Sequence, residues 1–118
     1  MKTIAESNND GLYTGDFPRE TQEIVITGPA EFMRGDVLAL ADGTTPVLVD
    51  STLSNGGQNV VGILCRNVSL AAGETATTAM YVKGSFNQRR LRFGGNDTIE
   101  KHLRRMTEIG LIVRETRV

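Results

Sequence analysis

The sequence predicts an α+β fold: a small β-rich domain of short strands with one amphipathic helix near the carboxyl terminus, preceded by a flexible amino-terminal arm. Short β-branched and apolar runs alternate with clusters of Gly, Pro, Asn and Asp through the middle of the chain. The segment with convincing helical periodicity follows these runs, at residues 98–108. Residues 1–20 are polar with few large apolar side chains, a composition typical of an extended or disordered arm.

Each predicted strand ends at turn-forming residues. The strands are predicted at 23–27, 36–40, 46–50, 60–65, 75–83 and 111–113. Because the loop 42–45 separates two of these runs, residues 36–50 predict a β-hairpin. The continuous apolar run 60–65 predicts a strand buried on both faces. Gly62 within that run predicts either a close approach of another backbone or a β-bulge.

The predicted helix spans residues 98–108, and Asp97 before it is a favourable N-cap. Gly110 is placed to end the helix, because glycine readily takes the left-handed conformation found there. Apolar side chains recur at helical spacing on one predicted buried face: Ile99, Leu103 and Met106. The order of short strands, one helix and a closing strand predicts a single α+β domain.

Composition excludes several classes of protein. The chain has 118 residues, which fits one domain. Its 13 Lys and Arg against 14 Asp and Glu give a net charge of -1, whereas a dedicated nucleic-acid binder usually has a clear basic excess. No apolar run approaches the roughly 18 residues of a membrane helix. Residues 1–10 have no apolar signal-peptide region, so we expect a soluble protein that is not exported.

The residues that could carry catalysis or bind metal are few. The single cysteine, Cys65, lies in an apolar string and predicts a buried, inert thiol. A catalytic pair with His102 is formally possible, but the spacing does not indicate one. One cysteine and one histidine cannot supply the four ligands of a structural zinc site. We therefore predict no catalytic, cofactor-binding or metal-binding residue, and no enzyme activity.

A basic cluster follows the last long strand. Arg89, Arg90 and Arg92 lie between Phe86 and Phe93, a pattern that superficially resembles the basic, aromatic grooves that bind single-stranded nucleic acid. The near-neutral chain favours another interpretation, in which these arginines form a solvated face or salt bridges to a partner. Within the same stretch, residues 84–87 predict a corner, and Leu91 is expected to face inward.

The tripeptide at residues 34–36, Arg-Gly-Asp, is known from integrin ligands. Three-residue matches arise often by chance, and Gly35-Asp36 is also typical of a turn before a strand. The turn is the favoured interpretation, and a receptor- or carbohydrate-binding domain that uses Arg34-Gly35-Asp36 remains an alternative.

Several short sequence strings lie between residues 61 and 113. Each string alone is a weak indication of a protein family, but their order and spacing together are more specific. They are VGIL at 61–64, a turn at 71–74, YVKGSFN at 81–87, a capped helix, and GLIV at 110–113. In these strings the chain resembles the lambda-type bacteriophage head decoration proteins, the family of capsid-stabilising protein D. With the upstream hairpin included, the resemblance covers roughly residues 20–115.

The resemblance implies a decoration-protein domain, here 21–118, that binds as homotrimers at three-fold positions of the expanded phage head. On the outer surface of the capsid it would cement neighbouring major capsid protein subunits against the pressure of packaged DNA. A flexible arm, here 1–20, would order on the capsid. The resemblance therefore implies a virion protein made in the host cytoplasm, with no nucleic-acid, membrane or cofactor partner.

The predicted arm contains three large apolar side chains: Leu12, Tyr13 and Phe17. We expect them to anchor the arm on the capsid, because large side chains dominate interface energies. No string within residues 1–20 matches the family pattern, so these anchors rest on position and size. On composition alone, a terminus without a role is an equally good interpretation of this segment.

Under this resemblance the basic cluster also acquires a partner. We expect Arg89, Arg90 and Arg92 to meet carboxylates of a neighbouring subunit or of the capsid surface. The alternative function is a nucleic-acid-binding module that uses the same patch, and its affinity would fall steeply with salt.

Overall fold

The computed structural model describes Leu12 and residues 18–114. Its elements in chain order are β1 Glu20–Thr27, β2 Ala30–Phe32, β3 Val37–Ala41, β4 Thr45–Leu48, β5 Val60–Leu64, β6 Val68–Leu70, β7 Thr75–Asn87, the 3₁₀ turns Gln88–Arg90 and Ile99–Lys101, α1 Leu103–Ile109 and β8 Leu111–Arg114. The predicted α+β class, with short strands and one helix near the carboxyl terminus, is confirmed. Tyr13, Phe17 and most of the predicted arm lie outside the described residues. None of the helices in 18–114 is long and apolar enough to cross a membrane.

One sheet organises the domain. Its strand order is β1-β7-β5-β3-β4, and each neighbouring pair is antiparallel. The strand β7 is thirteen residues long, so its end extends beyond these partners and pairs in parallel with β8. Strands β2 and β6 form a separate antiparallel pair.

An apolar cluster lies on each face of this sheet, because successive side chains of a strand point to opposite faces. In β5, Ile63 belongs to the first cluster and Leu64 to the second, and both are 0% exposed. In β7, Tyr81 and Met80 are divided in the same way. Met106 of α1 completes the first cluster, and the β2–β6 pair packs against the second. The prediction of a strand buried on both faces is confirmed.

Gly62 is the point where β5 has no room for a side chain. A Cβ at this position would lie 2.6 Å from the Met80 sulfur and 2.9 Å from the Tyr81 carbonyl oxygen. The register between β3 and β5 also shifts beside it, between Leu38 and Ala39. Both the close backbone approach and the irregularity predicted at this glycine are confirmed.

The predicted hairpin is formed by β3 and β4, with Ala41 opposite Thr45 at its closed end. Asp42 and Gly43 in its loop have φ values of 55° and 77°. Asp and Gly are the residue types that take this left-handed conformation at least cost, so the turn chemistry and the observed loop agree.

The corner predicted at residues 84–87 is wrong, because β7 continues through them to Asn87. Gly84 has a φ of 149°, and a Cβ on it would lie 2.8 Å from the Phe86 ring. At this glycine the strand leaves its antiparallel partners and pairs with Leu111 of β8. Because β8 supplies hydrogen-bond partners for the backbone, the chain changes partner here without turning.

The helical segment differs from the prediction in its start and in its buried face. It begins as the 3₁₀ turn Ile99–Lys101 and becomes α-helical only at Leu103–Ile109. Asp97 does not act as the N-cap, because its carboxylate bonds to Ser51 and His102. Leu103 is 44% exposed although Ile99 and Met106 are buried, since the tighter 3₁₀ turn changes the angular spacing of side chains.

The end of the helix agrees with the prediction. Gly110 has a φ of 98°, and its N–H donates to the carbonyl oxygens of Met106 and Thr107. The chain then enters β8 at Leu111, which is 0% exposed. This C-cap brings β8 beside the end of β7, where the basic cluster begins.

Candidate functional site

The basic cluster starts on the 3₁₀ turn that follows β7. Asn87, buried at the end of the strand, accepts a hydrogen bond from the Arg89 backbone through its side-chain oxygen, at 3.1 Å. This bond fixes the start of the turn Gln88–Arg90, and Arg89 and Arg90 are exposed on it. Leu91 packs against the first apolar cluster, so it faces inward as predicted.

Arg92 is held by a carboxylate of its own chain. Its Nε and one terminal nitrogen donate to the two carboxylate oxygens of Asp36, each at 2.7 Å. Asp36 is 0% exposed, whereas the Arg92 side chain is 48% exposed. The hydrogen bond from Arg92 to Asp36 raises the pKa of Arg92 above its usual range. Arg92 therefore acts as an internal counterion, a role that the sequence did not predict.

Backbone hydrogen bonds join the same two segments. The Val37 N–H donates to the Arg92 carbonyl at 2.9 Å, and the Arg92 N–H donates to the Gly35 carbonyl at 3.2 Å. Asp36 also accepts a hydrogen bond from the Met33 backbone at 2.8 Å. The basic segment is thus fixed against the start of β3 by both its backbone and its side chain.

The tripeptide 34–36 is the turn before β3, as the favoured interpretation predicts. The Asp36 N–H donates to the Met33 carbonyl at 2.9 Å, and Gly35 has a φ of 97°. Because Asp36 is fully buried, its carboxylate cannot reach a receptor without disrupting the ion pair with Arg92. The receptor-binding alternative thereby loses its only specific support.

Arg34 joins the basic cluster from this turn, although it is distant in sequence. One of its terminal nitrogens donates to the Cys65 carbonyl at 2.9 Å and to the Tyr81 hydroxyl at 3.2 Å. Its guanidinium carbon lies 5.9 Å from the centre of the Tyr81 ring, a distance typical of a cation–π contact. Sequence analysis missed this residue because no local pattern brings it to residues 89–92.

Together these segments line one groove, which we call the arginine groove. Its volume is about 370 Å³, and it is lined by Leu12, Arg34, Arg89, Arg90, Leu91 and Arg92. Within the described residues, the lining carries four positive charges and no Asp or Glu. The structure therefore brings all three predicted arginines together and adds Arg34 to them.

Leu12 connects the predicted arm to this groove. Its side chain is 2% exposed and belongs to the first apolar cluster, which also contains Val37 and Phe86. Its carbonyl accepts a hydrogen bond from the Asn87 N–H at 2.8 Å. Leu12, which the sequence places in an extended or disordered arm, is therefore part of the core of the domain. Of the three predicted anchors, Tyr13 and Phe17 lie outside the described residues.

A separate polar cluster, which the sequence did not reveal, consists of Ser51, Asp97 and His102. The Ser51 hydroxyl donates to one Asp97 oxygen at 2.7 Å, and His102 Nε2 lies 2.6 Å from the other. The carboxylate stands between serine and histidine, so the pair is not arranged as a catalytic Ser–His pair, in which the imidazole contacts the serine hydroxyl. His102 is buried and stacks on Phe93, with ring centres 5.5 Å apart. This arrangement is therefore structural.

Two pKa shifts fit this structural role. Burial acts to raise the pKa of Asp97, but hydrogen bonds from His102 and Ser51 outweigh it and lower the pKa below its usual range. Burial raises the pKa of the Cys65 thiol to about 11, which keeps it protonated and unreactive at neutral pH. In residues 18–114 no group of three His, Cys, Asp or Glu side chains is placed to hold a metal ion.

Comparison with known proteins identifies the family of this chain. A family model described as bacteriophage lambda head decoration protein D matches residues 3–109. No curated protein sequence gives a significant match. The family match spans nearly all of the described domain, the arginine groove included, and agrees with the resemblance seen in the sequence. The chain therefore belongs to the bacteriophage lambda head decoration protein D family.

Proposed function

We propose that this protein decorates the outer surface of a bacteriophage head. It binds the major capsid protein as a homotrimer at three-fold positions of the expanded shell, and it stabilises the shell against the pressure of packaged DNA. The observation that carries this proposal is the family match over residues 3–109. The family is one of structural capsid proteins, so we propose binding as the whole function and no catalysis.

The arm supplies the first part of the attachment. Leu12 is buried in the domain and acts as the root of the arm, and Tyr13 and Phe17 follow it as the proposed anchors on the capsid. An extended arm adds a strand to an exposed sheet edge, where backbone hydrogen bonds supply affinity and alternate side chains supply selectivity. Ordering such a segment costs a few kcal/mol of the gross interaction energy, so one arm alone binds weakly.

A trimer compensates for this weakness. When one arm has bound, the second and third meet their sites at high effective concentration, which raises the overall affinity without any new kind of contact. Firm attachment then requires three sites at matched distances. We expect the protein to distinguish expanded from unexpanded shells for this reason.

The basic cluster supplies the second part of the attachment. Arg89 and Arg90 are exposed, and Arg92 keeps about half of its side chain accessible while it pairs with Asp36. We propose that these arginines meet carboxylates of the capsid protein or of a neighbouring subunit. Ion pairs of this kind speed association and set orientation more than they add affinity.

Removal of the arm tests the attachment. The truncated chain should begin at Leu12, because deletion of that residue would also remove a core side chain. It should also carry Tyr13→Ala and Phe17→Ala, because both proposed anchors follow Leu12 in the sequence. We expect this variant to stay folded and to lose co-sedimentation with expanded capsids that lack decoration protein. The full-length chain on expanded and on unexpanded capsids is the matched control. Undiminished binding of the truncated chain would contradict the role of the arm.

Mass measurement tests the trimer. Analytical ultracentrifugation of the free protein, beside the stoichiometry on sedimented capsids, gives the number of copies at each site. Three copies for each three-fold position is the expected result on the shell, whatever the state in solution. A stoichiometry of one copy for each such position would contradict the trimer.

A further inference from the structure

We propose that the arginine groove is a receptor for an extended, acidic segment of the major capsid protein, in which a carboxylate side chain lies beside an aliphatic one. This inference rests on the proposed function and names the partner chemistry of one surface. The groove would hold the segment next to the root of the arm. The proposal adds Arg34 and Leu91 to the residues that the sequence assigned to capsid contact.

The charge of the groove lining is the first observation that supports this proposal. The described lining of the groove has four arginines and no carboxylate, although the chain as a whole has a net charge of -1. One of the four, Arg92, is balanced by the buried Asp36 behind the lining. A basic groove on a near-neutral protein is a local feature, so it favours an acidic partner at this one place. The pair of Arg92 and Asp36 shows that a guanidinium in this lining already binds a carboxylate through two parallel hydrogen bonds.

Pre-organisation carries the second step. Arg34 is held by the Cys65 carbonyl and the Tyr81 hydroxyl, and Arg92 is held by Asp36. Both side chains are therefore fixed before a partner arrives, which reduces the entropy lost on binding. Arg89 and Arg90 stand on a short turn whose start is fixed by Asn87.

The lining also separates an acidic peptide from nucleic acid. Leu12 and Leu91 give the groove an apolar part, and within the described residues no aromatic ring lines it. Single-stranded nucleic acid is usually held by bases that stack on aromatic side chains in a basic groove. Tyr81 does not serve here, because its side chain is buried and contacts Arg34. An aliphatic side chain beside a carboxylate fits the lining better than a base does.

Position carries the last step. Leu12 both lines the groove and bonds through its carbonyl to Asn87, so the groove and the root of the arm are contiguous. A capsid segment in the groove would therefore lie beside the segment that the arm engages. One surface of the capsid protein would then contact both the arginine groove and the arm.

Charge reversal of the two exposed arginines tests this inference. Arg89→Glu, Arg90→Glu and the double variant leave Arg34 and Arg92 unchanged, and urea denaturation of each variant checks that the domain stays folded. The matched control is Arg104→Glu, the same charge change at a 93% exposed position on α1. We expect each groove variant to bind expanded capsids about tenfold more weakly at low salt. The control should bind as the wild type does.

The outcomes separate the two proposals. If wild type and all variants bind capsids equally, the groove proposal is overturned while the capsid function stands. If the wild type itself does not bind capsids, the proposed function is overturned. If single-stranded DNA is retained and released by the groove variants alone, the groove serves nucleic acid and the inference is wrong.

Cross-linking identifies the occupant directly. Arg90→Lys keeps the positive charge and places an amine that a carbodiimide can join to a carboxylate in contact with it. We expect the linked peptide to come from the major capsid protein, with background linkage measured at the native Lys101. Linkage to Asp10 or Asp16 of this chain or of a second copy, or no linkage above that background, would overturn the proposal.

Discussion

Asp36 shows at the scale of single residues how the basic segment is held. Its carboxylate is fully buried and receives hydrogen bonds from the Arg92 guanidinium and from the Met33 backbone. A buried carboxylate is stable only while such donors compensate its lost hydration. Arg92 therefore stabilises the domain from inside the groove for which we propose a binding role.

Truncation of Arg92 tests that stabilising role. We expect Arg92→Ala to lower the free energy of unfolding by about 2–3 kcal/mol, because it leaves a buried charge short of donors. Urea denaturation measures the change. The matched control, Arg90→Ala, should stay within about 0.5 kcal/mol of the wild type, since this side chain is exposed. Equal effects of the two substitutions would contradict the assignment.

Asp97 predicts a dependence of stability on pH. Its pKa is lower in the folded protein than its usual value, so its contribution is present above that usual value and is lost as the pH falls through the folded pKa. We expect the wild type to lose more unfolding free energy between about pH 5 and about pH 2 than Asp97→Asn does. Urea midpoints at a series of pH values measure the difference. Parallel pH profiles for the two proteins would show that the carboxylate contributes nothing.

At the scale of elements, the sequence predicted those features of helices and strands that depend on interactions between neighbouring residues. Gly110 ends the helix and residues 42–45 close the hairpin because glycine and turn residues act on their own backbone. The alternation in β5 and β7 was readable for the same reason. Asp97 failed as an N-cap because Ser51, a long way off in sequence, competes for its carboxylate. No periodicity within 97–108 contains that information.

The same limit applies to the candidate site. The sequence pointed to Arg89, Arg90 and Arg92 as neighbours in one segment, but not to Arg34, which reaches them through the packing of Tyr81 and Cys65. Nor did it show that Leu12 is buried, because an isolated apolar residue in a polar stretch has no periodic partner. The roles of Tyr13 and Phe17 remain predictions.

The helix offers a paired test of its corrected buried face. Met106 and Leu103 were predicted on the same face, but Met106 is 0% exposed and Leu103 is 44% exposed. We expect Met106→Ala to cost about 2–5 kcal/mol, because it leaves a cavity in the first apolar cluster. Leu103→Ala should cost less than about 1 kcal/mol, since leucine and alanine both favour helix. Thermal or urea unfolding of both variants decides between the two faces.

At the scale of the whole molecule, an apolar cluster lies on each face of the sheet, and the arm root and the basic segment pack against the first cluster near the end of β7. Leu12, Asn87 and Leu91 lie close together there, so we expect folding of the domain to be coupled to presentation of the proposed binding surface. A partner that binds at this end contacts a surface supported by the core itself. Loss of core packing at Leu12 should therefore affect both stability and binding.

Two truncations separate these effects. A chain that begins at Leu12 should keep the unfolding free energy of the full-length protein, because this core residue remains. A chain that begins at Pro18 should lose about 2–4 kcal/mol, the usual cost of emptying a leucine-sized site. Urea denaturation of the two, with the full-length chain as reference, measures the difference. Equal stabilities would show that Leu12 is dispensable to the core.

The burial of Leu12 also limits the reach of the residues that precede it. Residues 1–11 lie before it in the sequence, and a fully extended chain of eleven residues spans at most about 40 Å. The longest dimension of the domain is 36 Å, so any capsid point that residues 1–11 touch lies within roughly one molecular diameter of the root. A capsid site that lies farther than this from Leu12 could not be contacted by residues 1–11. The burial of Leu12 thus limits how far from the domain residues 1–11 can make a contact.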